Sequence, residues 1–512
     1  MGDHGSDRTT VGRPVPDLRW VALGLAGNVR CERLWEAIGM ENRLYIGGTW
    51  TAAEGTFDVI DPSTGEVFAS VADADADAAV RALDAAAAAQ ASWAATAPRD
   101  RSEILRRAYE LMHERAEKLA RLTTREMGRP MAESLGEVSY AAEFLRWFAE
   151  EAVRVGGEYR VAPGGDYRIL TTRQPVGPAY LVTPWNFPLS MVTRKVGPAI
   201  AAGCTMIIKP AEATPLSALA LGRLLADAGV PDGVLSVLPT NRAPEVTNAL
   251  IADGRLRLLS FTGSTPVGKR LMEQAAGKVL RTTMELGGNA PFLVFDDADL
   301  DAALNGAVVA KMRNTGESCV AANRFIVHEA VAEEFAAGLA ERLGSLRLGP
   351  GLDPETEVGP LIDERARDRV AGLVADALER GATLRTGGKV SDGPGWFYPP
   401  TVLGDVPVDA RVMREEIFAP VAPIAVFPDE ESMIAAANDT EAGLVAYAYT
   451  RDLKRALRVG EALETGMVGL NRGLVSNPAA PFGGVKESGI GREGGFEGID
   501  DYVELKYLAV DM

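Results

Sequence analysis

The sequence predicts an α/β protein: a doubly wound, Rossmann-like parallel sheet, a second α/β region after it, and a β-hairpin arm. Three observations carry this. Strand-like and helix-like segments alternate from about residue 179 to 276, the pattern of successive βαβ units. A second alternation follows Cys319 and runs to about Val468. Between the early helices and the first series, residues 159–174 form two alternating segments around Pro163-Gly164-Gly165-Asp166, the pattern of a hairpin that leaves the body to pair elsewhere.

Taken in order, residues 1–39 differ from the rest. The apolar decamer at 20–29 follows Arg19, but Asp3, Asp7 and Asp17 lie where a secretory leader is basic, and no small-residue cleavage site follows. The stretch reads as a poorly ordered extension, or as the product of an upstream start with Met40 the true one. From Arg43 short strands are expected at 44–48 and 57–60. Residues 73–95 are alanine-rich and helical, and Pro98 closes them. Asp100 then caps a helix with Ile104, Ala108, Leu111 and Leu119 on one face. His113 on that helix reads as a surface or core residue, since nothing reactive lies near it in sequence. A third helix runs to about Val155 and ends at Gly156-Gly157.

After the hairpin, strands are expected at 179–183, 205–208, 234–238 and 256–261, with helices at 189–202, 216–228 and 267–276. Ligands of doubly wound sheets bind beyond the carboxyl ends of strands. Thr183-Pro184-Trp185-Asn186, Lys209-Pro210-Ala211-Glu212 and Thr262-Gly263-Ser264 all fall at such ends. The loop at 263–270 nearly fits the GxxxxGK[ST] phosphate loop, but Arg270 stands where a magnesium-binding hydroxyl belongs, and the GxGxxG spacing is missing. A P-loop nucleotide hydrolase is therefore a rival reading, beside a tight turn with no ligand. A further strand ends in Glu285 and runs into Gly287-Gly288-Asn289. Between a helix at 300–312 and a strand at 324–328, residues 313–323 put Cys319 on a turn. A turn exposes both a thiol and its backbone N–H, which a nucleophile and an oxyanion donor both need. A lone cysteine also reads as a buried small hydrophobe. Later come Glu415 to Pro420, a strand at 423–427, the segment from Pro481 to Gly489, and a terminal strand at 502–510.

Composition bounds the rest. The chain has 512 residues, enough for two or three domains, with 47% apolar and 24% charged residues. A net charge of -18 argues against nucleic acid or an anionic membrane as partner. Three cysteines (Cys31, Cys204, Cys319) make no disulfide framework, which fits a reducing cytoplasm. With only His4, His113 and His328, and no CxxC, no metal site is expected. The uncharged apolar run at 196–208 is too short to span a bilayer.

From about Arg43 to the end, the motifs quoted above resemble, in order, those of the NAD(P)-dependent aldehyde dehydrogenases: Trp185-Asn186, Lys209 to Glu212, the Gly263 to Gly268 loop, Glu285 to Gly288, the Cys319 loop, Glu416-Ile417-Phe418 and Pro481 to Gly489. The run from Thr193 to Pro198, the phrase from Gly288 to Asp301 and Arg313 six places before the thiol are most similar to the succinate-semialdehyde dehydrogenases. The resemblance implies that family's fold. Residues 40–157 and 176–286 would form the NAD-binding domain, 287–487 the catalytic domain, and 158–175 with 495–512 an oligomerisation arm of a dimer or tetramer. It implies Cys319 as nucleophile, Asn186 as oxyanion donor and Glu285 as the base that activates water. Thr183, Trp185, Lys209, Glu212, Gly263, Ser264, Leu286, Glu416 and Phe418 would hold the cofactor. NAD is expected over NADP, because a 2′-phosphate would meet the Glu212 carboxylate. Arg194, Arg313, Ser476 and Asn477 would hold the carboxylate of a semialdehyde of four or five carbons; structural ion pairs are the other reading of the two arginines. Two departures stand out. Glu317 replaces the glutamine usual in relatives, and it matters only if it faces the pocket. Ala321 removes the second cysteine that some relatives carry.

Overall fold

The computed structural model describes residues 41–512; the reading of residues 1–39 as an extension lies outside the described residues. The principal sheet has the order Thr49–Thr51, Leu44–Ile46, Leu235–Val237, Met206–Lys209, Ala179–Val182, Leu258–Thr262, Arg281–Glu285, Gly489–Ile490. Its five central strands are parallel, and the flanking ones antiparallel. Four of these five read AYLV, MIIK, LSV and LLSFT and are buried throughout, as expected of strands covered by helices on both faces; the fifth, Arg281–Glu285, is buried only over its last three residues. In chain order the parallel strands run 3-2-1-4-5, so the winding reverses between Ala179–Val182 and Leu258–Thr262. A crevice opens at the carboxyl ends of strands at such a point.

The second sheet has the order Thr383–Thr386, Thr401–Gly404, Val421–Phe427, Arg324–His328, Pro291–Val294, Val445–Tyr449, Met467–Leu470. It is parallel except for its first strand. Its core clusters Phe292, Phe325, Phe335, Tyr447 and Tyr449, separate from the core beneath the first sheet. The hairpin is present as Tyr159–Val161 paired with Tyr167–Pro175, and the terminal strand Val503–Asp511 extends it along the full length of the second arm. The outer strands keep Tyr159, Leu505, Tyr507 and Val510 exposed.

Several boundaries differ from expectation. Pro98 opens the helix Pro98–Glu114 rather than closing the one before it, because a missing N–H costs nothing in a first turn. Asp100 lies within that first turn and does not cap; the residue that caps is Asp75, which accepts from Ala78 N–H ahead of Ala76–Ala94. A break at Arg115 separates off Ala116–Met127, and the next helix, Met131–Glu151, stops short of Val155. His113 is a surface residue stacked edge-on against Tyr109. The helix Ala243–Ala252 was not anticipated; only Val246, Thr247, Leu250 and Ile251 are buried, too few for a clear stripe. Among the described residues no helix is long and apolar enough to cross a membrane.

Candidate active site

The crevice at the winding reversal is where the motifs meet. Strand Ala179–Val182 runs out into Pro184-Trp185-Asn186, Leu258–Thr262 into Gly263-Ser264, and Arg281–Glu285 into Leu286-Gly287. With Arg194 from the helix Ser190–Ala202, Cys319 from the turn after Leu300–Met312, and Glu416 and Phe418, they line one cavity of about 330 Å³. Residues of the first sheet and of the loops adjoining the second thus face one space.

The turn that carries Cys319 is held in an uncommon backbone conformation. Asn314 and Thr315 both have φ 55° and Gly316 has φ 77°. Left-handed backbone suits asparagine but is costly for β-branched threonine, and persists only where surroundings impose it. The imposition is visible at Gly316, where a Cβ would lie 2.4 Å from the Ala419 carbonyl oxygen. On the other side, a Cβ at Gly288 would lie 2.7 Å from the Cys319 carbonyl oxygen. Among the described residues the Cys319 N–H has no acceptor. Asn186 Nδ2 donates to the Glu317 carbonyl at 3.3 Å, and Asn186 Oδ1 has no partner. Burial pushes the Cys319 thiol up to about 12; Arg194 and Arg313 pull it down while Glu416 and Glu285 oppose them. At neutral pH the resting group is therefore a thiol.

Glu285 stands at the end of its strand, buried, with Oε2 unpartnered. Burial first, and then the charge of Glu493, hold its carboxyl well above the usual range. Glu493 itself stays low despite burial, because Lys195 and Arg194 face it. Lys195 Nζ donates to Glu493 Oε1 and Arg194 Nε lies against Glu493 Oε2, both at 2.7 Å. The Arg194 contact is an ion pair without hydrogen-bond alignment. Arg194 also stacks 4.0 Å from the Phe482 ring centroid. So Arg194 does line the cavity, but its charge is already matched, which is the structural reading of that residue. Arg313 differs. Its guanidinium lies over Phe187 at 4.7 Å and Tyr140 at 5.3 Å, with no acidic partner within ion-pair distance among the described residues. It stands outside the cavity lining, as do Ser476, which is partly buried, and the exposed Asn477, whose Oδ1 accepts from Ala479 N–H in a local turn.

Glu317 turns away from the cavity. Its Oε1 accepts from Ile362 N–H at 3.0 Å and its Oε2 has no partner; burial raises it well above the usual range. The substitution of glutamate for glutamine therefore puts no charge into the pocket.

On the other wall, Glu416 Oε1 accepts from Gly288 N–H at 3.0 Å, and burial lifts that carboxyl to about 7. Trp185 and Phe418 meet edge to face at 5.4 Å. Thr262 Oγ1, which lines the cavity, is buried without a partner. Thr183 is buried, its N–H bonded to the Lys209 carbonyl. Lys209 Nζ lies 3.7 Å from Glu212 Oε2, and Glu212 borders a second cavity of about 230 Å³ that Trp185 also lines. Two cavities sharing Trp185, each with a carboxylate able to accept from ribose hydroxyls, and an orphan hydroxyl between apolar walls, fit a dinucleotide. They do not fit a P-loop. Lys269 is turned to Glu487, 2.6 Å away, and Arg270 is exposed.

Sequence reasoning quoted the runs holding Lys195 and Phe482 without giving either residue a role, and missed Glu493 and the cavity-lining Met191, Arg369 and Leu444. Nothing local marks them: the Lys195–Glu493 contact joins positions 298 residues apart.

Residues 50–508 match the model of the aldehyde dehydrogenase family. The chain is 56% identical to the succinate-semialdehyde dehydrogenase of Paenarthrobacter nicotinovorans, over 87% of this chain and 99% of that one. It is 49% identical to the glutarate-semialdehyde dehydrogenase of Pseudomonas putida, over 94% of this chain and 100% of that one. A crystal structure described as an E. coli NADP-dependent enzyme superposes with a TM-score of 0.91 at 48% identity, over 93% of this chain and 99% of that one. A cysteine on a constrained turn, a buried carboxyl facing it and a crevice shaped for a dinucleotide agree with these matches, and the chain belongs to the aldehyde dehydrogenase family.

Proposed function

We propose that this aldehyde dehydrogenase oxidises succinate semialdehyde to the acid with NAD. The observation that carries the substrate is Arg313: a guanidinium held on two aromatic rings, without an acidic partner among the described residues, at the head of the cysteine turn and just outside the cavity lining. In an acidic protein, a substrate carboxylate needs such a charge. The 56% identical relative named for this substrate supports the reading; the 49% identical relative named for glutarate semialdehyde makes the aldehyde one methylene longer the competitor. Ser476 and Asn477 would complete the carboxylate site, while Arg194, its charge matched by Glu493, would line the cavity beside them.

Cys319 Sγ attacks the aldehyde carbon; the S–C bond forms as the carbonyl π bond opens to an oxyanion, and the thiol proton passes to solvent. The Asn186 amide and the Cys319 N–H hold the oxyanion of the thiohemiacetal. NAD, when bound, supplies the hydride acceptor. Lys209 and Glu212 would hold its adenosine ribose and Glu416 its nicotinamide ribose, with Thr183, Trp185, Gly263, Ser264, Leu286 and Phe418 around it. Glu285, in its carboxylate form, takes a proton from the water that hydrolyses the resulting thioester; a carboxylate whose pKa burial raises is a stronger base than one in water. We assign the cofactor to residues 40–157 and 176–286, the cysteine chemistry to 287–487, the arm at 158–175 and 495–512 to a homodimer or homotetramer, and the protein to the cytoplasm. A concentration-independent monomer in light scattering would contradict the assembly.

Reduced cofactor followed by absorbance, with succinate semialdehyde, glutarate semialdehyde and butanal, tests the assignment. The highest kcat/KM is expected for succinate semialdehyde with NAD. Because the E. coli structure at 48% identity is described as NADP-dependent, the cofactor arm is decisive: Glu212→Ser should narrow the gap between NAD and NADP, and equal use of both by the wild type removes the carboxylate argument.

A further inference from the structure

Asn314 is the hub of a buried polar network that none of the roles above uses. Its backbone N–H donates to Glu133 Oε2 at 2.7 Å, and its Oδ1 accepts from Arg129 Nη1 at 3.4 Å. Its Nδ2 donates to two carbonyls at 2.9 Å each, those of Asn186 and Glu317. Its own carbonyl accepts from Glu317 N–H at 2.8 Å. Arg129, fully buried, also pairs with Glu137, whose other oxygen accepts from Leu189 and Ser190 N–H at 2.9 Å and so caps the helix that follows Asn186.

The two loops that must act together are thus joined through the Asn314 amide, which bonds both main chains at shorter distances than the direct contact of Asn186 Nδ2 with the same Glu317 carbonyl. We infer that Asn314 is a positioning residue. Its amide ties the main chain of Asn186 to the peptide just before Ser318, and so aims the Asn186 side chain and the Cys319 N–H at one point. The inference rests on the cysteine chemistry proposed above, not on which aldehyde is used. An aspartate has the same shape but cannot donate to the two carbonyls, and a glycine offers nothing. Both accept left-handed backbone, so neither substitution tests strain.

Two reactions of Cys319 separate positioning from mere integrity of the turn. With p-nitrophenyl acetate the Sγ–C bond forms through a tetrahedral oxyanion, p-nitrophenolate leaves and the thiol proton goes to solvent. With iodoacetamide the sulfur displaces iodide and no oxyanion forms. In Asn314→Asp and Asn314→Gly, acylation should slow by about 10²-fold or more while alkylation stays within about threefold of wild type. Near-wild-type acylation in Asn314→Gly would show the amide to be idle and overturn the inference. Equal losses in both reactions would overturn it too, by reducing Asn314 to a support of the turn. If Asn314→Asp shows no cooperative unfolding transition, the glycine variant decides. A wild type that acylates but does not oxidise succinate semialdehyde would remove the substrate assignment and leave this one standing.

Discussion

Glu285 and Glu317 are both buried carboxyls on the approach to the same cysteine, and burial raises both well above the usual range. Yet only Glu285 lines the cavity; Glu317 is turned back to accept from Ile362 N–H. The difference is one of direction. Glu285 ends a strand whose carboxyl end opens on the crevice. Glu317 follows three left-handed residues that swing its side chain into the protein. A raised pKa thus marks burial, and only geometry makes it useful for chemistry. The two arginines repeat the lesson: Arg194 lines the cavity with its charge spent on Glu493, whereas Arg313 rests on two aromatic rings with no acidic partner among the described residues.

The largest contrast is expected between Glu285→Gln and Glu317→Gln. The first should slow thioester hydrolysis by about 10²–10⁴-fold and leave a burst of one equivalent of reduced cofactor before turnover stalls. The second should leave kcat/KM unchanged, because Glu317 is turned away from the cavity and a glutamine oxygen can accept from Ile362 N–H in its place. Stopped-flow absorbance reads both, and a Glu317→Gln enzyme as slow as Glu285→Gln would erase the contrast.

Next come the arginines. Arg194→Ala leaves Glu493 with Lys195 alone and should cost about 3–5 kcal/mol in denaturant unfolding, with parallel losses on every aldehyde. Arg313→Ala should leave the fold intact and lower kcat/KM for succinate semialdehyde by roughly ten- to a hundred-fold relative to butanal, the worth of a charge-assisted pair of ~1.5–3 kcal/mol. Equal losses on both aldehydes would make Arg313 structural as well.

The smallest effect lies in stability against pH. Glu317 keeps its proton in the folded state above its ordinary value of 4.5, where the unfolded chain has released it. Folding therefore loses stability as pH rises from 4.5 toward the raised value. Glu317→Gln removes that loss, so its Tm should exceed that of wild type by a margin that grows with pH. A margin independent of pH would mean that Glu317 is ionised where it sits.

What the sequence determined by itself was the α/β class, the strands whose ends carry the motifs, the arm, and the identity of Cys319, Glu285 and Asn186 as the groups to watch. The class, the strands and the arm follow from local rules: buried parallel strands read as short apolar runs and turns announce themselves by glycine; the roles of Cys319, Glu285 and Asn186 came from the resemblance to the aldehyde dehydrogenases. The tertiary structure alone decided that Glu317 faces away, that Arg194 is matched by Glu493, that Lys269 serves Glu487 and that Asn314 bridges two loops. Each of those facts joins residues far apart in the chain, or depends on a single backbone angle. Side-chain direction at a turn is set by the surfaces packed against it, here the Ala419 carbonyl pressed on Gly316, and no local pattern of residues encodes that contact.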